Sequence, residues 1–96
     1  MYLFAVMRIT WDPNKAETNL RKHGICFSDA EMVLYDPFAM SLDEQIVETE
    51  QRFVTIGADA VGRIIAVVYS YRADTIRLIS ARKTTPKERK QYEKGI

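Results

Sequence analysis

Four arginines, Arg63, Arg72, Arg77 and Arg82, stand on two neighbouring apolar segments of this chain, and Lys83, Lys87, Arg89 and Lys90 follow them directly. A guanidinium stays charged at any physiological pH and forks two parallel N–H donors onto a carboxylate or phosphate, which a lysine cannot do. Local acids such as Asp74 and Glu88 are too few to neutralise them all. The chemistry that this pattern points to is bidentate recognition of phosphate oxygens. His23 is the only histidine, and imidazole, with an unperturbed pKa of about 6.5, is the side chain best matched to proton transfer near neutrality. Its place just before Gly24 equally suits interaction with the last carbonyls of its own helix. Glu88 and Tyr92, one helical turn apart, are further candidates for proton transfer, although Tyr92 also suits simple packing.

The elements that must position these groups are legible in order. Leu3, Ala5, Met7, Ile9 and Trp11 alternate with Phe4, Val6, Arg8 and Thr10, which predicts a first strand over residues 3–11. Asp12-Pro13 opens a helix that Gly24 closes. Ser28 and Glu31 have the spacing of a capping box, and Phe27 and Met32 that of a hydrophobic staple. A second helix is therefore expected from Ser28 until Asp36-Pro37 stops it. A short strand over 38–42 and an acidic loop precede an alternating strand over 51–57, and Gly57 to Gly62 reads as a hairpin connection. "RIIAVVYSYR" is β-branched and aromatic enough for a central strand. Ala73-Asp74 is a tight turn, Thr75 to Arg82 a returning strand, and Thr85, Pro86 and Glu88 start a terminal helix. The sum is an α+β fold, an antiparallel sheet with two N-terminal helices and one C-terminal helix, in a single domain over 1–96.

A two-residue turn fixes the register of the last hairpin. With unbroken alternation, Ser70 lies opposite Arg77 and Ile65 opposite Arg82. Arg72 and Arg77 are then diagonal neighbours on one face, about 7 to 8 Å apart at the backbone, and Arg63 and Arg82 on the other.

Composition narrows the class. The formal net charge of +1 conceals halves of opposite sign: residues 1–50 hold nine acids against four lysines and arginines, residues 51–96 four against ten. The basic half implies an anionic partner such as nucleic acid. Lone Cys26 excludes an internal disulfide and suits a reducing compartment, and with one histidine there is no zinc-ligand spacing. The acidic stretch from Asp43 to Glu50 reads as a solvated loop, so neither metal nor cofactor is expected. "MYLFAVM" lacks the basic flank and cleavage site of a signal peptide, and no run approaches the ~18 apolar residues of a membrane span. The expectation is a soluble, cytoplasmic protein.

Four stretches, "WDPNKAETNLRKHGICFSDA", "QRFVTIG", "GRIIAVVYSYR" and "IRLISARKTTPKERKQYE", together resemble the BrnT family of toxins from type II toxin–antitoxin systems. The similarity runs from Trp11 to Glu93. It implies a RelE-like fold, a ribonuclease that inhibits translation, and a DNA-binding BrnA-like antitoxin that neutralises the toxin in a hetero-oligomer and represses their operon. Carried over by motif, "KHG" matches Lys22 and His23, "YxYR" matches Arg72, and "ISARK…ER" matches Arg77 to Lys83 with Glu88 and Arg89. The expected catalytic set is His23, Arg72, Arg82 and Glu88, with Lys22, Arg63, Arg77 and Lys83 binding RNA and no metal involved. Which of these acts as acid and which as base stays open. The competing reading is a basic nucleic-acid-binding module without catalysis, whose affinity comes from counterion release.

Overall fold

Asp12 does what its type predicts at the start of the first helix: its side chain accepts a 2.8 Å hydrogen bond from the Asn14 N–H, and Pro13 follows at the first helical position. The computed structural model describes residues 8–42 and 45–95. Helix α1 (Pro13–His23) ends on Gly24, whose φ of 71° is the left-handed geometry that glycine adopts without a Cβ clash. Strand β1 (Arg8–Thr10) precedes it; the part of the expected first strand before Arg8 lies outside the described residues.

The second helix differs from expectation. Helix α2 (Phe27–Ala30) starts one residue early with Cys26 as N-cap, makes no side-chain capping bond, and continues as a 3₁₀ turn over Glu31–Tyr35. The core overrides the local signal: Phe27 is drawn fully inside and meets Trp11 edge-on at 5.9 Å, while its expected staple partner Met32 is exposed. Asp36 then folds the chain back by accepting from the Phe38 N–H, so the next strand, β2, is only Met40–Ser41 and Phe38 is left in solvent. Part of the expected acidic loop is strand: β3 (Gln45–Val47) forms a hairpin with β4 (Glu50–Ala58).

Strands β5 (Ile64–Arg72) and β6 (Thr75–Lys83) complete a six-stranded sheet in the order β1-β6-β5-β4-β2, with β3 also on β4. Its pairings are antiparallel except β1 on β6, which is parallel and is made possible by the long crossover between them. Helix α3 (Pro86–Glu93) follows with the expected capping box between Thr85 and Glu88. The fold is thus α+β, with two helices before the sheet and one after it.

Alternation along β5 separates two packed layers. Ile65, Val67 and Tyr69 face α1 and α2, joining Ile25, Phe27 and Leu78 in the larger core, whereas Ala66 and Val68 face the opposite way and pack with Val54, Ile56 and Tyr92 of α3. Asn19 fixes α1 to the exposed edge of β6. Its carboxamide accepts from the Ala81 N–H and donates to the Ala81 carbonyl, both at 3.0 Å, mimicking a strand partner, and donates to the Ile25 carbonyl as well. Gly57 lets the 3₁₀ turn close on β4, because a Cβ there would stand 3.0 Å from both Val33 Cγ1 and Asp36 Oδ2.

Candidate nucleic-acid interface

The last hairpin begins in the expected register, Arg72 opposite Thr75 and Ser70 opposite Arg77. Between Tyr69 opposite Leu78 and Val68 opposite Ser80 it then slips by one residue, so that Ile79 is an extra residue on β6. This β-bulge corrects the expected pairing. Arg82 lies opposite Ala66 and it is Lys83 that lies opposite Ile65. Because the side-chain period of a strand is two, one inserted residue transfers everything beyond it to the other face. Arg82 therefore joins Arg77 and Arg72 instead of standing on the helix-covered face.

The expected diagonal pair of Arg63 and Arg82 is not formed. Arg63 lies before β5 and is tied to the α1–α2 side. Its Nε donates to Asp59 Oδ2 at 2.7 Å, and its terminal nitrogens reach the Gly24 carbonyl at 3.3 Å and Asp29 at 3.6 Å. Lys83, exposed at the end of β6, lines a cavity of about 590 Å³ with Arg63, Arg89, Ile64 and Pro86.

Register also brings two arginines that were not singled out in the sequence onto the Arg77 face. Arg8 on β1 lies beside Thr75, and Arg52 on β4 shares the parity of Val54. Arg8, Arg52, Arg72, Arg77 and Arg82, from four strands, so occupy one face. Strand parity in the sequence could separate Arg8 and Arg52 from the apolar set. It could not say which strands adjoin.

The acids on this face bind the arginines unequally. Glu50 lies between Arg52 and Arg72, at 3.3 and 3.4 Å, and these guanidiniums hold its carboxyl below the usual carboxylate range, the hydrogen bond from Arg52 contributing most. Contacts this long at the surface contribute little to stability and yield readily to a better anion. Arg77 and Arg8 have no ion-pair partner among the described residues. Arg82, by contrast, forks onto both oxygens of Glu88, at 2.8 and 3.0 Å. Chiefly through those bonds, and through the N–H of Thr85, the Glu88 carboxyl is pulled down from 4.5 to about 2, and the Arg82 pKa is raised. A carboxylate so stabilised is a weak base at neutral pH.

Tyr92 packs, as one of its two expected roles required, and its hydroxyl donates to Asp36 Oδ2 at 2.6 Å. Burial and the neighbouring carboxylate push the Tyr92 phenol up to about 12. Burial would raise the Asp36 carboxyl, but hydrogen bonds from Tyr92 and from the Ala58 and Phe38 N–H groups outweigh it and hold it below its ordinary value.

His23 and Lys22 end α1 beside the bulge. They line a groove of about 300 Å³ with Lys15, Thr18, Ile79 and Ser80. No carboxylate lines this groove. Ser80 lies opposite Val68, on the arginine face, between Arg77 and Arg82 along β6. The groove thus runs between the basic end of α1 and the bulged stretch of β6. Of the expected site residues, the structure gathers Arg72, Arg77, Arg82 and Glu88 on one face and sets His23 and Lys22 at its rim. Arg63 and Lys83 are not on the arginine face; Arg63 bonds to the Gly24 carbonyl next to His23, and both line the second cavity. No three His, Cys, Asp or Glu side chains converge to form a metal site among the described residues.

Comparison with known proteins identifies the family and the fold. No curated protein matches the chain. The crystal structure of the ribonuclease toxin BrnT of Brucella abortus superposes with a TM-score of 0.63 at 30% sequence identity, covering 82% of this chain and 97% of that one. Residues 11–88 match the family model described as the ribonuclease toxin BrnT of type II toxin–antitoxin systems. With four-fifths of its length matched by that model, and with the same fold as a member, the chain belongs to the BrnT family of ribonuclease toxins.

Proposed function

We propose that this chain is the toxin of a type II pair and cleaves RNA on the arginine face without a metal ion, inhibiting translation in the cytoplasm. The observation that carries the reading is the convergence of five arginines from four strands on one face, four of them loosely paired or without an ion-pair partner among the described residues. Arg72 and Arg77 hold the scissile phosphate bidentately. His23 takes the proton of the 2′-hydroxyl as its oxygen bonds to phosphorus, the bond from phosphorus to the 5′-oxygen breaks, and the departing 5′-oxygen takes a proton from water, leaving a 2′,3′-cyclic phosphate and a 5′-hydroxyl. The arginines stabilise the extra negative charge on five-coordinate phosphorus, the step at which fixed positive charge contributes most. Lys22 binds a neighbouring phosphate. Arg82 and Glu88, bonded to each other, clamp α3 at the border of the site, so their contribution is to position it. Arg63 and Lys83 contact RNA only where the strand extends past the end of the sheet.

The partner is an antitoxin of the BrnA type that covers the arginine face and competes with RNA. In the complex it represses the shared operon. Charge complementarity between an acidic segment and this face accelerates the encounter and makes it sensitive to salt.

The test is incubation of the purified chain with RNA in excess chelator. Cleavage leaving 2′,3′-cyclic phosphate and 5′-hydroxyl ends is expected. A strict requirement for magnesium would overturn the mechanism, and simultaneous binding of antitoxin and RNA would overturn occlusion.

A further inference from the structure

Ser70 is 2% exposed, and its Oγ has no hydrogen-bond partner among the described residues. Buried hydroxyls are nearly always paired, because removing one from water without compensation costs free energy that an alanine at the same place would not incur. This one stands in a particular position. Tyr69 before it belongs to the helix-covered core, so Ser70 lies on the arginine face. Directly across β6 is Arg77, two residues on along β5 is Arg72, and Arg52 precedes Phe53, the β4 partner of Tyr69. The hydroxyl is therefore framed by three of the face's arginines. Serine is the smallest side chain among these neighbours, and its hydroxyl is a buried polar atom without a hydrogen-bond partner among the described residues.

Building on the RNA-cleaving role proposed above, we propose that Ser70 is a further substrate contact: its hydroxyl donates a hydrogen bond to a phosphate oxygen of the RNA strand held by Arg72 and Arg77. Arriving phosphate draws the guanidiniums outward from the sheet, uncovers Oγ, and supplies the acceptor that the free protein lacks. The unpaired hydroxyl is thus a group prepared for a ligand, with stability sacrificed at the binding surface.

Opposite effects on stability and activity separate this role from a structural one. Ser70→Ala is expected to keep or raise the melting temperature while lowering kcat/KM for a single-stranded RNA at least tenfold. Ser70→Cys, similar in volume but a weaker donor, is expected to fall between alanine and serine in activity. Both are measured beside the wild-type chain and Arg77→Ala. If Ser70→Ala or Ser70→Cys cleaves at the wild-type rate while Arg77→Ala is impaired, the Ser70 contact is wrong and the arginine site stands. If the wild-type chain cleaves no RNA, both readings fall together.

Discussion

The two faces of this sheet treat their polar groups in opposite ways. On the side covered by α1 and α2 the buried polar side chains are bound to other parts of the chain: Asn19 to Ala81 and Ile25, Thr55 to Tyr69 at 2.9 Å, Asp59 to Arg63 and to backbone N–H groups of its own turn. On the arginine side Arg52 and Arg72 share one exposed carboxylate, Arg77 has no ion-pair partner among the described residues, and the Ser70 hydroxyl is unpaired. The first pattern is what a stable fold requires. The second costs stability and leaves donors available, which is what an anion-binding surface requires. Two cationic clusters can have similar composition and different work. Arg63 is structural because its partners are folded around it, whereas half-buried Arg77 is left without a carboxylate to neutralise it among the described residues.

The sharpest way to break this comparison is at Arg72. Arg72→Lys keeps the charge but removes the fork, and kcat for RNA cleavage is expected to fall about 100-fold with an unchanged melting temperature. Full activity with lysine would reduce the face to a diffuse electrostatic surface. The covered side should answer in the other currency, stability. Asn19→Ala leaves the Ala81 N–H and two carbonyls without partners, and is expected to cost about 2 to 3 kcal/mol, read as a lower urea midpoint.

Acid should act on the clamp between the faces. The Glu88 carboxyl is held at about 2 against an ordinary 4.5, a depressed value, so the stability it contributes is present above pH 4.5 and is lost as pH falls toward 2. Discounted for the solvent that reaches the pair, the loss is on the order of 1 to 2 kcal/mol. Glu88→Gln should flatten that part of a melting-temperature profile against pH; an unchanged profile would mean that the Arg82 clamp contributes nothing. The smallest effect is expected at Glu50. Glu50→Gln releases Arg52 and Arg72 from their long contacts, so affinity for single-stranded RNA should rise a few-fold, with stability nearly unchanged. Weaker RNA binding would show that Glu50 supports the arginines rather than competing for them.

Much of the fold was legible because it is written in local chemistry. Asp12-Pro13 and Gly24 bound the first helix, Thr85, Pro86 and Glu88 start the last, and the turn at Ala73-Asp74 sets the first pairs of the hairpin as expected. Each signal needs only residues a few positions apart. Ser28 and Glu31 failed for a matching reason: the capping box is a weak local preference, and burying Phe27 against Trp11 outweighs it. Of the candidate site, Arg72 and Arg77 were paired correctly, while Arg82 was placed on the wrong face and Arg8 and Arg52 were passed over.

The sequence by itself determined the element types, the basic second half and the motifs that place the chain among BrnT toxins. Tertiary structure alone decided which arginines meet. The bulge at Ile79 arises in the fit of β6 to β5 and to Asn19 at its edge, and no pattern within β6 announces it. The parallel docking of β1 on β6 joins residues nearly seventy positions apart. A strand fixes the alternation of its own side chains. Which face they share with another strand depends on register, and register is set by contacts between segments that the order of residues does not bring together.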